Sequence, residues 1–205
     1  MKRKYLLAIA GGAVLFGCAT YDAPTREETM QVVKSSFRER GIAKLDRLDQ
    51  SEIQMACSEA SLTGKDLPKD VRARIEKAAL ATVKLPADGV YLGDFKQGER
   101  IAQTGVGLQW SDTEKTVAGG NCYACHQMAP QEIAFGNIGP SLRNYGKVRG
   151  NSKEVVTYTW GKLWNSHAYN ACSQMPRYGD ANILTTAQLT DLMALLLDPN
   201  SPVNK

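Results

Sequence analysis

The sequence predicts an all-α fold, and three observations carry that reading. Apolar residues recur at three- and four-residue spacing in separate stretches, several of those stretches open on helix-capping signals, and no run alternates apolar and polar convincingly enough to build a sheet. The first stretch starts at Thr25-Arg26-Glu27-Glu28, a capping-box pattern in which Thr and Glu satisfy each other's end of the helix. Met30, Val33 and Phe37 follow at helical spacing, and Gly41 offers a stop. A second helix is expected over about 46–62, with Ile53, Cys57 and Ala60 on one side. A third begins near Pro68, a residue suited to a first helical turn. Val71, Ile75, Ala78, Ala79 and Thr82 give it a narrow apolar stripe.

Pro86-Ala87-Asp88-Gly89 marks a boundary. It divides a helical extension, 19–88, from a second domain, 89–205. The extension reads either as a docking surface for a partner or as a wrap over one face of the second domain, and the wrap is the simpler expectation. In the second domain, 94–103 reads as a helix, and a Gly-, Ser- and Asp-rich loop then runs to Gly120. Residues 152–169 form an aromatic-rich helix with Tyr158, Trp160 and Trp164 expected in the core. Thr185-Thr186-Ala187-Gln188 is a second capping box. It opens a helix through Leu189, Leu192, Met193, Leu196 and Leu197 that Asp198-Pro199 stops.

Cys122-Tyr123-Ala124-Cys125-His126 is the most informative string in the chain. Two thiols at this spacing can add across the two vinyl groups of a haem, and the adjacent imidazole can then reach the iron. A zinc site would need further thiolate or imidazole ligands in a second pair. The only other candidates, Cys18, Cys57, Cys172 and His167, form none. A thioredoxin-like pair would want a βαβ pattern around it, and the flanks here are Gly-Gly-Asn and Gln-Met-Ala-Pro. The expected cofactor is one covalently attached haem c, bound through Cys122 and Cys125 with His126 as proximal iron ligand.

The N-terminus agrees with export. Lys2-Arg3-Lys4 is a basic start, and the apolar run from Tyr5 to Phe16 is too short for a mature membrane span. Leu15-Phe16-Gly17-Cys18 resembles a lipoprotein signal, which makes residues 1–18 a signal peptide and Cys18 the lipid-bearing mature N-terminus. Ordinary cleavage after Ala19 is the alternative. Either way the chain is expected in the periplasm, anchored to a membrane if Cys18 is lipidated. The whole sequence holds 25 Lys and Arg against 21 Asp and Glu. Without Lys2, Arg3 and Lys4 the count is 22 against 21, so the basic excess is mostly targeting and gives no case for nucleic acid.

Five cysteines, less Cys18 and the two haem thiols, leave Cys57 and Cys172. In an oxidising compartment two spare thiols suggest a disulfide. Its closed loop of over a hundred residues would be worth about 4–5 kcal/mol in the chain-entropy model. Two buried free thiols, or Cys172 as an iron ligand, are the alternatives.

An electron carrier needs a second iron ligand. Met128 lies too close to His126 to cross to the opposite face, Met193 sits on the stripe of the last helix, and Met30 and Met55 lie in the extension. Met175 precedes Pro176 in an irregular polar segment, where a thioether has little packing reason to be and proline would stiffen the loop. Met175 is the expected ligand, with His167 and Cys172 behind it. On the proximal side a ligating histidine usually donates its other N–H to a carbonyl, and Pro140, in Gly139-Pro140-Ser141-Leu142, is the expected acceptor.

The C-x-x-C-H motif, the Gly-Pro-x-Leu segment, Met175-Pro176 and the closing helix together resemble class I cytochromes c over about 90–200. Within that class the stretches 120–126, 136–142 and 175–179 resemble the SoxX family, the monohaem subunit of the SoxAX complex of sulfur oxidation. The resemblance implies an electron-transfer role in a complex that oxidatively couples thiosulfate to a cysteine of the SoxYZ carrier protein (L-cysteine S-thiosulfotransferase). It implies a SoxA-like cytochrome as partner, which carries the chemistry, and a further cytochrome c as electron acceptor. No catalytic residue is expected in this chain itself. A free-standing electron shuttle, or a haem enzyme with an open sixth site, are the competing roles.

Overall fold

The computed structural model describes residues 23–205. The signal segment and Cys18 lie outside them. Among the described residues, 23–36 and 37–205 form two compact units. In the first, α1 spans Arg26–Ser36, and its start is the capping box: Glu28 N donates to Thr25 Oγ1 (3.2 Å) and Thr25 N donates to Glu28 Oε2 (2.8 Å).

The second unit carries six further helices, and no strand occurs among the described residues. The expected helix over 46–62 is broken. A single 3-10 turn covers Leu45–Leu48, and α2 then runs Glu52–Thr63. The cause is Ser51, which accepts from Gln54 N and starts a further capping box, while Gly64 ends the helix at φ 63°, a conformation that glycine adopts without penalty. The third helix, α3, spans Lys69–Ala81 with Pro68 one position ahead of it, and buries Ile75 and Ala79. Ala78 faces solvent, so the buried stripe is narrower than expected.

The domain core is built on the crossing of α4 (Phe95–Gln103) and α7 (Thr186–Leu197). Leu189, Leu192, Met193, Leu195 and Leu196 of α7 are buried with Ile101 and Ala102 of α4. Each such side chain removed from water contributes about 1.5–3 kcal/mol before the entropy of ordering it is counted. Gly98 makes the close crossing possible: a Cβ there would lie 2.2 Å from the Asp191 carbonyl oxygen. Asp191 also fixes the start of α4, accepting from Asp94 N at 2.8 Å.

Two shorter contributions complete the unit. Helix α5 spans Tyr145–Arg149, and α6 spans Lys153–Trp164 with Ser152 as its cap. Trp160 and Trp164 are buried as expected for the aromatic helix, but Tyr158 is 42% exposed and meets the Tyr169 ring in a tilted contact, with centroids 4.7 Å apart. The helix was expected to continue to Tyr169 and stops at Trp164, because the Trp164 carbonyl accepts from Gly179 N (3.1 Å) and Asp180 N (3.0 Å) of a distant loop. Asn165 takes an extended conformation, caps the following 3-10 turn (Ser166–Ala168) and donates through Nδ2 to Thr82 Oγ1 at 3.0 Å.

The segment after α1 folds onto the loop that precedes the C-x-x-C-H motif. The Arg40 guanidinium lies 3.4 Å over the Trp110 ring, and Arg47 Nη1 donates to the Leu108 carbonyl at 2.7 Å. Among the described residues no helix is long and apolar enough to cross a membrane.

Candidate functional site

The motif Cys122–His126 forms one tight turn. A 3-10 turn spans Cys122–Ala124, and both Cys125 N (3.1 Å) and His126 N (2.9 Å) donate to the Cys122 carbonyl. Asn121 enters the turn at φ 47°, a left-handed conformation that asparagine tolerates better than most side chains. This winding is what carries two thiols and an imidazole to neighbouring positions. Both thiols are free, whereas Cys57 and Cys172 are joined in a disulfide with their Cα atoms 5.5 Å apart.

The imidazole of His126 is held from behind. Its Nδ1 lies 2.7 Å from the Pro140 carbonyl oxygen, which makes Nδ1 the donor and leaves Nε2 with a lone pair for a metal. The loop reaches this position because Gly139 N donates to the Cys125 carbonyl and Leu142 N to the Gln127 carbonyl, both at 2.8 Å. Gly139 is required by proximity: a Cβ there would lie 2.2 Å from His126 Cε1.

The turn is tied to the core by two tyrosines that sequence reasoning left unused. Tyr123 donates through its hydroxyl to Glu99 Oε1 of α4 (2.8 Å) and accepts from Ala129 N (3.2 Å). Tyr178 donates to the Gly120 carbonyl, two residues before Cys122, so the loop that carries Met175 is stitched to the motif. Burial pushes the Cys122 thiol up to about 12, with the Tyr178 hydroxyl working against the rise. Among the described residues no three His, Cys, Asp or Glu side chains converge as a metal cluster.

Met175 is half-buried and packs against the same core cluster as Cys122 and Leu142. Its carbonyl accepts from Ser166 Oγ at 2.6 Å and its N donates to Ser173 Oγ at 3.3 Å. Met175 lines a cleft of about 700 Å³, whose walls include Ile53 and Leu62 of α2, Ile183 and His167. His167 is buried at 9% exposure, and that burial, reinforced by Arg177, holds its imidazole below the usual histidine range. Met128 and Met193 are fully enclosed in the core. Cys172 is engaged with Cys57 and has no thiolate to offer an iron.

The residues present fit a covalently bound haem. Two unpaired thiols sit at the right spacing, one imidazole has its rear nitrogen engaged and its front nitrogen available, and one thioether is carried on a loop stitched to the thiol turn. Gly139 and Tyr178 carry no sequence signal of their own beyond lying in the stretches 136–142 and 175–179. Nothing in the sequence signals Ser166, whose role depends on a contact nine residues away along an irregular loop.

Comparison with known proteins agrees with this geometry. The family described as "Cytochrome c" matches residues 111–198, the span that holds the motif, the proline loop, the Met175 loop and α7. The chain is similar over its entire length, and that of its relative, to an "Uncharacterized lipoprotein" of Aquifex aeolicus (strain VF5), at 33% identity over 215 residues. The chain belongs to the family of that lipoprotein, and its residues 111–198 resemble cytochromes c, proteins that carry haem c covalently and transfer electrons.

Proposed function

We propose that this chain is a monohaem cytochrome c and the electron-transfer subunit of a SoxAX-type complex, with His126 and Met175 as its iron ligands. The observation that carries the ligand set is the pair of restraints on its two sides: the Pro140 carbonyl on His126 Nδ1 and the Ser166 hydroxyl on the Met175 carbonyl. Bound through Cys122 and Cys125, haem supplies a one-electron couple, and imidazole–thioether ligation places that couple high enough to accept electrons. The chain's own residues do the rest. Pro140 fixes the tautomer and orientation of His126. Tyr123 and Tyr178 hold the thiol turn against α4 and the Met175 loop. The Trp160 and Trp164 rings, 6.0 Å apart, and the leucines of α7 keep water from the buried side.

The sulfur-oxidation assignment is supported by the sequence of the stretches 120–126, 136–142 and 175–179. In this reading the SoxA-like partner binds thiosulfate and joins it to the SoxYZ carrier cysteine. The two electrons released pass one at a time through this chain to a further cytochrome c. The fold alone would serve many electron donors. Localisation is read from the signal segment and from the printed name of the Aquifex relative: the mature chain is periplasmic and anchored through a lipidated Cys18.

The test is native purification followed by reconstitution. A SoxA-like cytochrome should co-purify with the chain, and its haem should become reduced by thiosulfate only when that partner and the carrier protein are both present. A chain that purifies alone, and is reduced by an unrelated dehydrogenase, is a free-standing shuttle instead.

A further inference from the structure

We propose that the helical extension is a brace for the Met175 loop, and that the Cys57–Cys172 disulfide and Thr82 are positioning residues that keep the thioether on the iron. This inference rests on Met175 being the sixth ligand. The loop 165–180 has no regular structure beyond one 3-10 turn, so its conformation is set by what holds it. Three of its ties come from the extension. The Thr82 hydroxyl accepts from Asn165 Nδ2 where the loop begins. Glu76 Oε1 accepts from Ala171 N at 3.2 Å, and the disulfide fixes the next residue, Cys172, to α2. Met175 follows three residues later and lines the same cleft as Ile53 and Leu62 of α2.

The physical need for such a brace is specific to the ligand. A thioether is neutral and a weak ligand, with no charge to draw it back once the loop opens, so its occupancy depends on how rarely the loop opens. A disulfide removes open conformations from that ensemble, and the hydrogen bonds to Ala171 and Asn165 satisfy loop backbone and side-chain groups that would otherwise seek water. An exogenous ligand such as imidazole can bind only to molecules whose loop is open. Its apparent affinity therefore scales with the open fraction.

The experiment uses the full mature ferric holoprotein. It compares wild type, Cys57→Ala/Cys172→Ala, Thr82→Val and Glu76→Ala. Two quantities are read: imidazole affinity, and the temperature at which the far-red thioether–iron band disappears, set beside the temperature of global unfolding. The disulfide-free protein should bind imidazole roughly tenfold more tightly, about 1.4 kcal/mol. It should also lose the band well before it unfolds, and Thr82→Val should move the same way by a smaller factor. If the cysteine variant fails to accumulate, the Thr82 and Glu76 variants carry the test. Unchanged imidazole affinity and a band that vanishes only with global unfolding, in all variants that fold, would mean that the ties are merely structural and overturn the brace. A wild-type protein without the band overturns the ligand assignment itself, and the brace with it.

Discussion

Glu99 is the titratable residue whose surroundings make the most specific demand. One carboxylate oxygen accepts from Tyr123, and the other is buried without a hydrogen-bond partner. Burial holds its carboxyl above the ordinary carboxylate range, the Tyr123 bond pulls it back down, and the charge of Glu132 adds to the rise. The folded protein therefore keeps this proton at a pH where the unfolded chain has lost it. That contribution is fully present below the ordinary carboxylate pKa and disappears as pH rises through the raised folded value. Stability should fall across that window, and Glu99→Gln, which keeps an acceptor for Tyr123, should flatten the fall. Denaturation midpoints measured against pH for both proteins check this; identical slopes contradict it. Gly139 makes a steric demand of the same local kind. Gly139→Ala should push His126 from its bond to Pro140 and lower the yield of correctly ligated holoprotein, read from the ferric electron paramagnetic resonance spectrum. An unaltered spectrum would contradict the contact.

Helix ends show what was legible from sequence and what was not. The capping boxes at Thr25 and Thr185 were readable because the four residues that form them are contiguous, and both form as expected. Thr185→Ala should cost about 1 kcal/mol in chemical denaturation; no loss would show that the cap is dispensable to α7. The box at Ser51 and Gln54 has the same form, but the apolar spacing from Asp46 onward obscured it, and the helix was read several residues too early. The end of α6 had no local signal at all. It stops because the Trp164 carbonyl is taken by residues 179 and 180, a partner that only the folded chain supplies. Gly98 is similar. In sequence it is a glycine that weakens a helix, and in the structure it is the point where α4 meets the Asp191 carbonyl. Gly98→Ala should destabilise the protein by about 1–3 kcal/mol through overpacking at that crossing, despite the better helix propensity of alanine. A stabilised variant in thermal denaturation would contradict the close packing.

At the scale of the molecule, the chemistry was legible because it is concentrated in short strings. Residues 122–126 specify attachment, and residues 139–142 and 175–176 follow at distances along the chain that the fold closes up. The ties between the extension and the Met175 loop were not legible, since they join residues 83, 95 and 115 apart in sequence. Cysteine counting gave the one pair among them that has a chemical signature. The others are ordinary hydrogen bonds whose partners nothing local announces. Together they make residues 37–205 a single compact unit in which the extension helices α2 and α3 stand beside the loop that holds the thioether. The measurement that tests the account most directly is the visible and far-red spectrum of the purified mature ferric protein, before and after Met175→Ala. The account predicts a haem that resists acid–acetone extraction and a thioether–iron charge-transfer band that is present in the wild type and absent in the variant. A colourless wild-type protein, or a band that survives the substitution, would contradict it.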